Sequence, residues 1–354
     1  LDPQLENDLR RLQSPWSLSG TLSGAAGYKD NVVLSSYSPQ GSLELRGEAE
    51  MMAWRLPTRI ADFVWFTSVS ESLFPSIHGD GREEITALSH AELRYEIPGF
   101  FKASLAATGS YLDQVLDLSD SNAETLRLRA RETLLRLTPG LHWKPLHFWW
   151  IDAEASLQAS RFRGVPEDSD EHSAQLRLGR DFSQTQSAGL RLAILDRRYQ
   201  ERTQYTRGGR SLKGTRLSLR RPEAALFWKG SWGAEHRLTA ELDAGMAWNR
   251  DNGSGFFDHD RAQASLKLNY KTGDWSLSLR PSAWRSLYRV QVAGEGFDPP
   301  KRRIEQSSLR LRAERTLHHG WTLLAELEAE QSTDNTPGGD YRSRGFLLGT
   351  EHAW

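Results

Sequence analysis

Cysteine is absent from the 354-residue chain, which excludes disulfides and thiolate metal sites. Long apolar runs are absent as well. No stretch reaches the roughly 18 residues a transmembrane helix needs. Net charge is nearly absent: 45 Lys and Arg stand against 46 Asp and Glu, giving −1. No basic bias therefore points to nucleic acid. Mean hydropathy is −0.60, an average that reads as a water-soluble chain. Averages hide spans made of strands, because a transmembrane strand needs only about 9–11 residues and half of them face an aqueous interior. No basic-then-apolar leader is visible before the polar Leu1-Asp2, so a leader, if one existed, was cleaved or omitted.

What the chain does have is alternation. In "RLTAELDAGMAW" (237–248), Leu238, Ala240, Leu242, Ala244, Met246 and Trp248 occupy one face of an extended strand. Arg237, Thr239, Glu241 and Asp243 occupy the other. Period two with one apolar and one charged face is a strand between two different media. Sixteen such segments follow Pro15, centred near residues 22, 48, 66, 91, 106, 130, 155, 177, 193, 218, 242, 266, 280, 310, 326 and 348. Before them, "DPQLENDLRRLQS" (2–14) sets Leu5, Leu9 and Leu12 at helical spacing, with Asp2-Pro3 as a helix start. This predicts a short amphipathic helix in residues 1–15 and a β-barrel over 16–354.

The connections alternate in kind. One set is short: "LPTR" (56–59), "IPGF" (97–100), "TPGL" (138–141), "SQTQ" (183–186), "GSWGAE" (230–235), "KTGD" (271–274) and "LHHG" (317–320). The other set is longer and more polar, from "KDNVVLSSYSPQ" (29–40) to "STDNTPGGD" (332–340). Short turns at one end and longer loops at the other are the pattern of outer-membrane barrels, and strands beside lipid must close because an open edge leaves backbone groups unsatisfied. An even strand number puts both chain ends on the short-turn side. None of the loops is long enough to predict a substantial inward constriction.

Trp16, Trp54, Trp143, Trp228, Trp232, Trp275, Trp321 and Trp354 lie at or near the short-turn ends, joined by Tyr95, Phe101 and Tyr270. Such rings prefer the headgroup layer and predict an interfacial girdle. Core aromatics at strand ends are the alternative reading.

Charge on the other face predicts a lumen with two walls. Glu44, Glu48, Glu50, Glu92, Glu96, Glu326, Glu328, Glu330 and Glu351 fall in one arc of the closed barrel. Facing them would be Arg127, Arg129, Arg131, Arg177, Arg191, Arg216, Arg220, Lys267, Arg280, Arg310 and Arg312. Opposed walls of charge set ion preference across a water-filled bore. Local Arg–Glu pairing that only stiffens the wall is the other reading.

The last strand, "RGFLLGTEHAW", ends on an aromatic after Phe346, Leu348, Thr350 and His352 at alternate positions. It resembles the C-terminal signature of the bacterial outer-membrane β-barrel superfamily, with Trp in place of the commoner Phe. That resemblance implies an outer-membrane location, contact with the lipid bilayer and lipopolysaccharide, and recognition of the last strand by the barrel-insertion machinery. "GYKDNVVLS" (27–35) also resembles the first hairpin of export barrels that follow periplasmic helical repeats, which would make residues 2–14 the stub of a helical region.

Enzymatic motifs are missing: neither G-x-S-x-G nor H-E-x-x-H occurs. His318-His319 sits in a turn, and His90 with Glu92 has no nucleophile beside it. "DNGSGFFDHD" (251–260) offers oxygen ligands without the spacing of an EF-hand. The chain thus reads as an all-β, closed antiparallel transmembrane barrel of about sixteen strands, with no cofactor and no metal. The expected function is a porin-like channel for small polar or charged solutes. The alternative is a structural or export barrel working with a periplasmic or cell-surface protein partner.

Overall fold

The computed structural model describes residues 15–55, 61–97, 101–117, 127–233, 237–294, 297–336 and 338–354. The helix expected at 2–14 lies outside the described residues. Strands run over Trp16–Lys29 (β1), Ser42–Arg55 (β2), Ala61–Leu73 (β3), Glu83–Ile97 (β4), Phe101–Asp117 (β5), Arg127–Leu146 (β6), Trp149–Arg163 (β7), Ser169–Ser183 (β8) and Gln186–Tyr199 (β9). A two-residue pair, Gln204–Tyr205 (β10) and Ser211–Leu212 (β11), decorates the next loop. Then come Ser218–Trp232 (β12), Leu238–Asp251 (β13), His259–Thr272 (β14), Trp275–Val292 (β15), Lys301–Thr316 (β16), Trp321–Asp334 (β17) and Tyr341–Ala353 (β18).

Sixteen of these strands form one closed antiparallel barrel in which every consecutive pair is hydrogen-bonded and β1 closes on β18. All sixteen segments expected from alternation coincide with these strands. Closure satisfies every ladder, which a sheet in hydrocarbon requires. The register Ala26↔Leu348 lies in the closing pair. Facing Cα atoms in an antiparallel pair lie about 4.5–5.5 Å apart, within disulfide range. The double variant Ala26→Cys/Leu348→Cys should crosslink within one chain under oxidation. Dimeric products alone on a non-reducing gel would overturn closure by this seam.

The pleat separates the faces. On β13, Leu238, Leu242 and Met246 are each more than a third exposed on the outside, as are Leu323 and Leu327 on β17. Glu326, on the opposite face of β17, is 3% exposed. Apolar side chains standing bare outside and acids covered inside are the reverse of a soluble protein, and they fit a barrel set in lipid.

Two expectations are corrected. "TPGL" (138–141) is not a turn: β6 continues through Pro139 and Gly140, and the chain turns at His147 and Phe148. Loop 30–41 does fold inward. Val32 and Val33 are buried with Phe74, Ile77 and Val115. Val32 and Leu34 line a cavity of about 330 Å³ together with inward residues of β4 and β16–β17, Glu84, Arg310 and Glu328. The apolar residues of this loop bury against Phe74 and Ile77 of the neighbouring loop and Val115 of β5 rather than extending into water.

Candidate functional site

The inward face of β2 and β17–β18 carries Glu44, Glu48, Glu50, Glu326, Glu328, Glu330 and Glu351. Between β2 and β17 lie β18 and β1, whose inward residues include Ala25, Gly27, Gly345 and Gly349. These small residues leave a trough. Gly27 is so close to β18 that a Cβ there would sit 1.7 Å from the Phe346 carbonyl oxygen. Arg46 crosses this trough, with its guanidinium 2.8 Å from Glu44 on its own strand and 3.0 Å from Glu326 on β17. From the other side Arg310 reaches Glu326 at 2.8 Å and Glu328 at 3.2 Å. Arg312 lies 3.3 Å from Glu351. Glu330 accepts from Gln306 at 2.6 Å and from the Tyr341 hydroxyl. The acidic arc is therefore a cross-linked network strapping the closing seam; Arg312 belongs to it, and Arg310 is tied into it while also lining the cavity on the basic side. Glu92 sits apart on β4, paired with Arg94 at 2.6 Å.

The inward cations across the lumen are not the set expected from the sequence. β9 is the eighth strand from β1 in either direction around the ring, so it lies across the lumen. From β8 to β15 the inward residues include Arg177, Arg191, Lys229, Lys267 and Arg280. They line a cavity of about 810 Å³ against two carboxylates, Glu241 and Asp243. Arg191 is 2.8 Å from Asp243, and Lys229 is 3.4 Å from Glu241. Arg177, Lys267 and Arg280 have no carboxylate within ion-pair distance among the described residues.

Five residues expected on this wall are elsewhere or undescribed there. Arg129 and Arg131 share the pleat face of Leu135 and Leu137, the outward one. At the long-loop end they clamp Asp113, with Nε–Oδ contacts of 2.6 and 3.0 Å. The side chain of Arg127 lies outside the described residues. Arg220 pairs in register with Asp196 and Arg250 on the outward face. Arg216 lies in the loop before β12. The physical reason is common to these cases. Above the lipid layer both pleat faces are wet, so a charged residue no longer reports the lumen side.

The aromatics expected in an interfacial girdle are also divided by the pleat. Trp16, Trp143, Trp275, Trp321 and Trp354 are between 46% and 65% exposed on the short-turn side. Trp228 and Trp232 stack beside them with ring centroids 5.4 Å apart. Trp354 continues the β1–β18 ladder beyond Ala353 through bonds with Gly20 of 3.1 and 3.3 Å. Trp54 is the exception: it shares the pleat face of Glu44 and Glu50 and therefore lies on the lumen side.

One lumen feature is not legible in the sequence. Trp150, Gly179, Gly189 and Phe227 fall in one cross-strand row over β7, β8, β9 and β12. The two glycines are the floor on which the two rings lie, 5.5 Å apart. A Cβ on Gly179 would come within 2.1 Å of the Trp150 ring, and one on Gly189 within 2.5 Å of Phe227. The Trp150 indole donates to Asp181 at 3.0 Å. This aromatic platform borders the basic cavity. Its signal, a glycine on each of two strands between aromatics on the flanking two, appears only once register is known.

The acidic loop 251–260 uses its carboxylates internally. Asp251 accepts from the backbone of Gly253, Gly255 and Phe257 at 2.8–2.9 Å, and Asp258 accepts from that of Asp251 at 2.7 Å.

No family model matches the chain, and no curated protein matches it. Solved structures do. Acinetobacter baumannii OccAB4 superposes with a TM-score of 0.51 at 9% identity, over 96% of this chain and 99% of that one. Pseudomonas aeruginosa OccK8 (OprE) gives 0.50 at 9% identity, over 96% and 98%. The chain has the fold of the porin-like bacterial outer-membrane β-barrels. A closed barrel with an apolar outer belt is built to sit in a lipid bilayer.

Proposed function

We propose that this outer-membrane barrel is a passive channel for small polar and charged solutes, and that its basic sector favours anions. The observation that carries the reading is the set of inward cations, Arg177, Lys267 and Arg280, that face the 810 Å³ cavity without carboxylate partners. A cation not neutralised by the wall raises the local concentration of anions in a narrow aqueous bore. The acidic arc contributes less field, because Arg46, Arg310 and Arg312 neutralise much of it in place.

Planar-bilayer recording tests this. The purified barrel should conduct, and Arg177→Gln/Lys267→Gln/Arg280→Gln should move the reversal potential toward cation preference. The shift should shrink in molar salt, where the Debye length falls from about 8 Å to about 3 Å. Absence of conductance in a correctly folded preparation would sink the channel reading. It would favour the second one, a structural or export barrel opened by a periplasmic or surface partner, which the inward-folded loop 30–41 also supports.

A further inference from the structure

The platform of Trp150 and Phe227 is an apolar surface on the wet face of the wall. Gly179 and Gly189 let the two rings lie over the sheet, a Cβ at either glycine falling 2.1–2.5 Å from a ring. Each ring therefore has one face against glycine backbone and the other toward the bore. Both rings are half-buried, and the bond from the Trp150 indole to Asp181, 3.0 Å long, fixes the larger one. The lipid-facing belt does not account for them, because they point inward. Flat apolar faces standing in water favour a flat ligand that covers them.

Charge stands on both sides of the platform. Toward the long loops, Arg177 is two residues from Gly179 on β8. Toward the short turns, Lys229 is two residues from Phe227 on β12, and Lys267 follows in the same row across Glu241. The carboxylates around the platform are already met: Asp181 by Lys144 at 2.8 Å, Asp243 by Arg191 at 2.8 Å, Glu241 by Lys229 at 3.4 Å and Asp152 by His142 at 2.5 Å. Arg177, Lys267 and Arg280 are left over, with no carboxylate within ion-pair distance among the described residues. Two residues along a strand span about 7 Å. That spacing suits a ligand whose anionic group is held away from its ring by a spacer, as ribose holds a 5′-phosphate away from a base. An anion fixed directly on its ring, as in benzoate, carries its charge too close to the stacking face. Three uncompensated cations also suit a dianionic phosphate, whose oxygens match the guanidinium fork.

We propose that the Trp150–Phe227 platform and the cations beside it form a lumenal binding site for nucleoside monophosphates, the base stacking on the rings and the phosphate meeting Arg177. The proposal rests on the channel reading for how the ligand reaches the site, but binding is measured without current. Stacking of a base on aromatic side chains is worth about 5- to 150-fold in affinity. Isothermal titration calorimetry of the folded full chain in detergent, with adenosine monophosphate as the probe, should show binding. Adenosine and ribose 5-phosphate, which each lack one half of the ligand, should bind at least about fivefold more weakly. Phe227→Leu should weaken adenosine monophosphate by about 5-fold or more and leave ribose 5-phosphate unchanged. It is the decisive variant for a protein that must stay folded, because leucine still covers Gly189 and no hydrogen bond is lost. Arg177→Gln should weaken both phosphates by roughly tenfold and leave adenosine unchanged. Unchanged affinity for adenosine monophosphate in Phe227→Leu would overturn the proposal, as would equal binding of ribose 5-phosphate by the parent. Benzoate binding as tightly as the nucleotide would also overturn it and mark a site for carboxylates borne on a ring. Nucleotide binding by a barrel that does not conduct would leave this site standing and sink the channel reading, whereas conductance without nucleotide binding would do the reverse.

Discussion

Arg46→Met should destabilise the barrel by about 3–5 kcal/mol, the cost of removing one partner from a buried ion pair. Glu44 is 3% exposed, and its charged partner among the described residues is Arg46, with Ser72 Oγ at 2.9 Å as its remaining donor. Losing Arg46 leaves that carboxylate covered and uncompensated. It also removes the strap to Glu326 across β1 and β18, although Glu326 keeps Arg310 at 2.8 Å. Urea unfolding of vesicle-reconstituted protein, followed by tryptophan fluorescence, measures the loss. The double variant Arg46→Met/Glu44→Gln should recover most of it, because the stranded charge is gone. A loss below about 1 kcal/mol in the single variant, the value of an exposed pair, would mean that water reaches Glu44 and that the seam network is only a surface feature.

Leu242→Arg should cost about 2–4 kcal/mol, the value for arginine near the bilayer midplane on a barrel's lipid face. Leu242 is 42% exposed, and its register neighbours are Trp228 and Leu266, which share its outward face. Nothing on that face can pair with a guanidinium. Ser265→Arg is the matched control. Ser265 lies on the lumen side opposite Asp243, and its substitution should stay within about 1 kcal/mol, as for a solvated position. Equal costs at the two positions would show that both faces are wet, which no membrane barrel allows.

Period-two alternation, with the lengths of the connections and the need to close a sheet beside lipid, determined a closed barrel of about sixteen strands. It could do so because within the lipid layer one pleat face meets hydrocarbon and the other water, so each residue's polarity names its side. Where that contrast ends, alternation carries no information. The misplacement of Arg129, Arg131 and Arg220 follows from this, and so does the appearance of Pro139-Gly140 as a turn in a strand that runs on to Leu146. Which distant side chains meet was decided only by closure and register. Arg46 and Glu326 are 280 residues apart and touch because two strands of small residues separate theirs. Trp150 and Phe227 meet over Gly179 and Gly189 because four strands align in one row. A charge or a ring is visible in one strand, but its partner depends on the shear with which sixteen strands close, a property of the whole sheet.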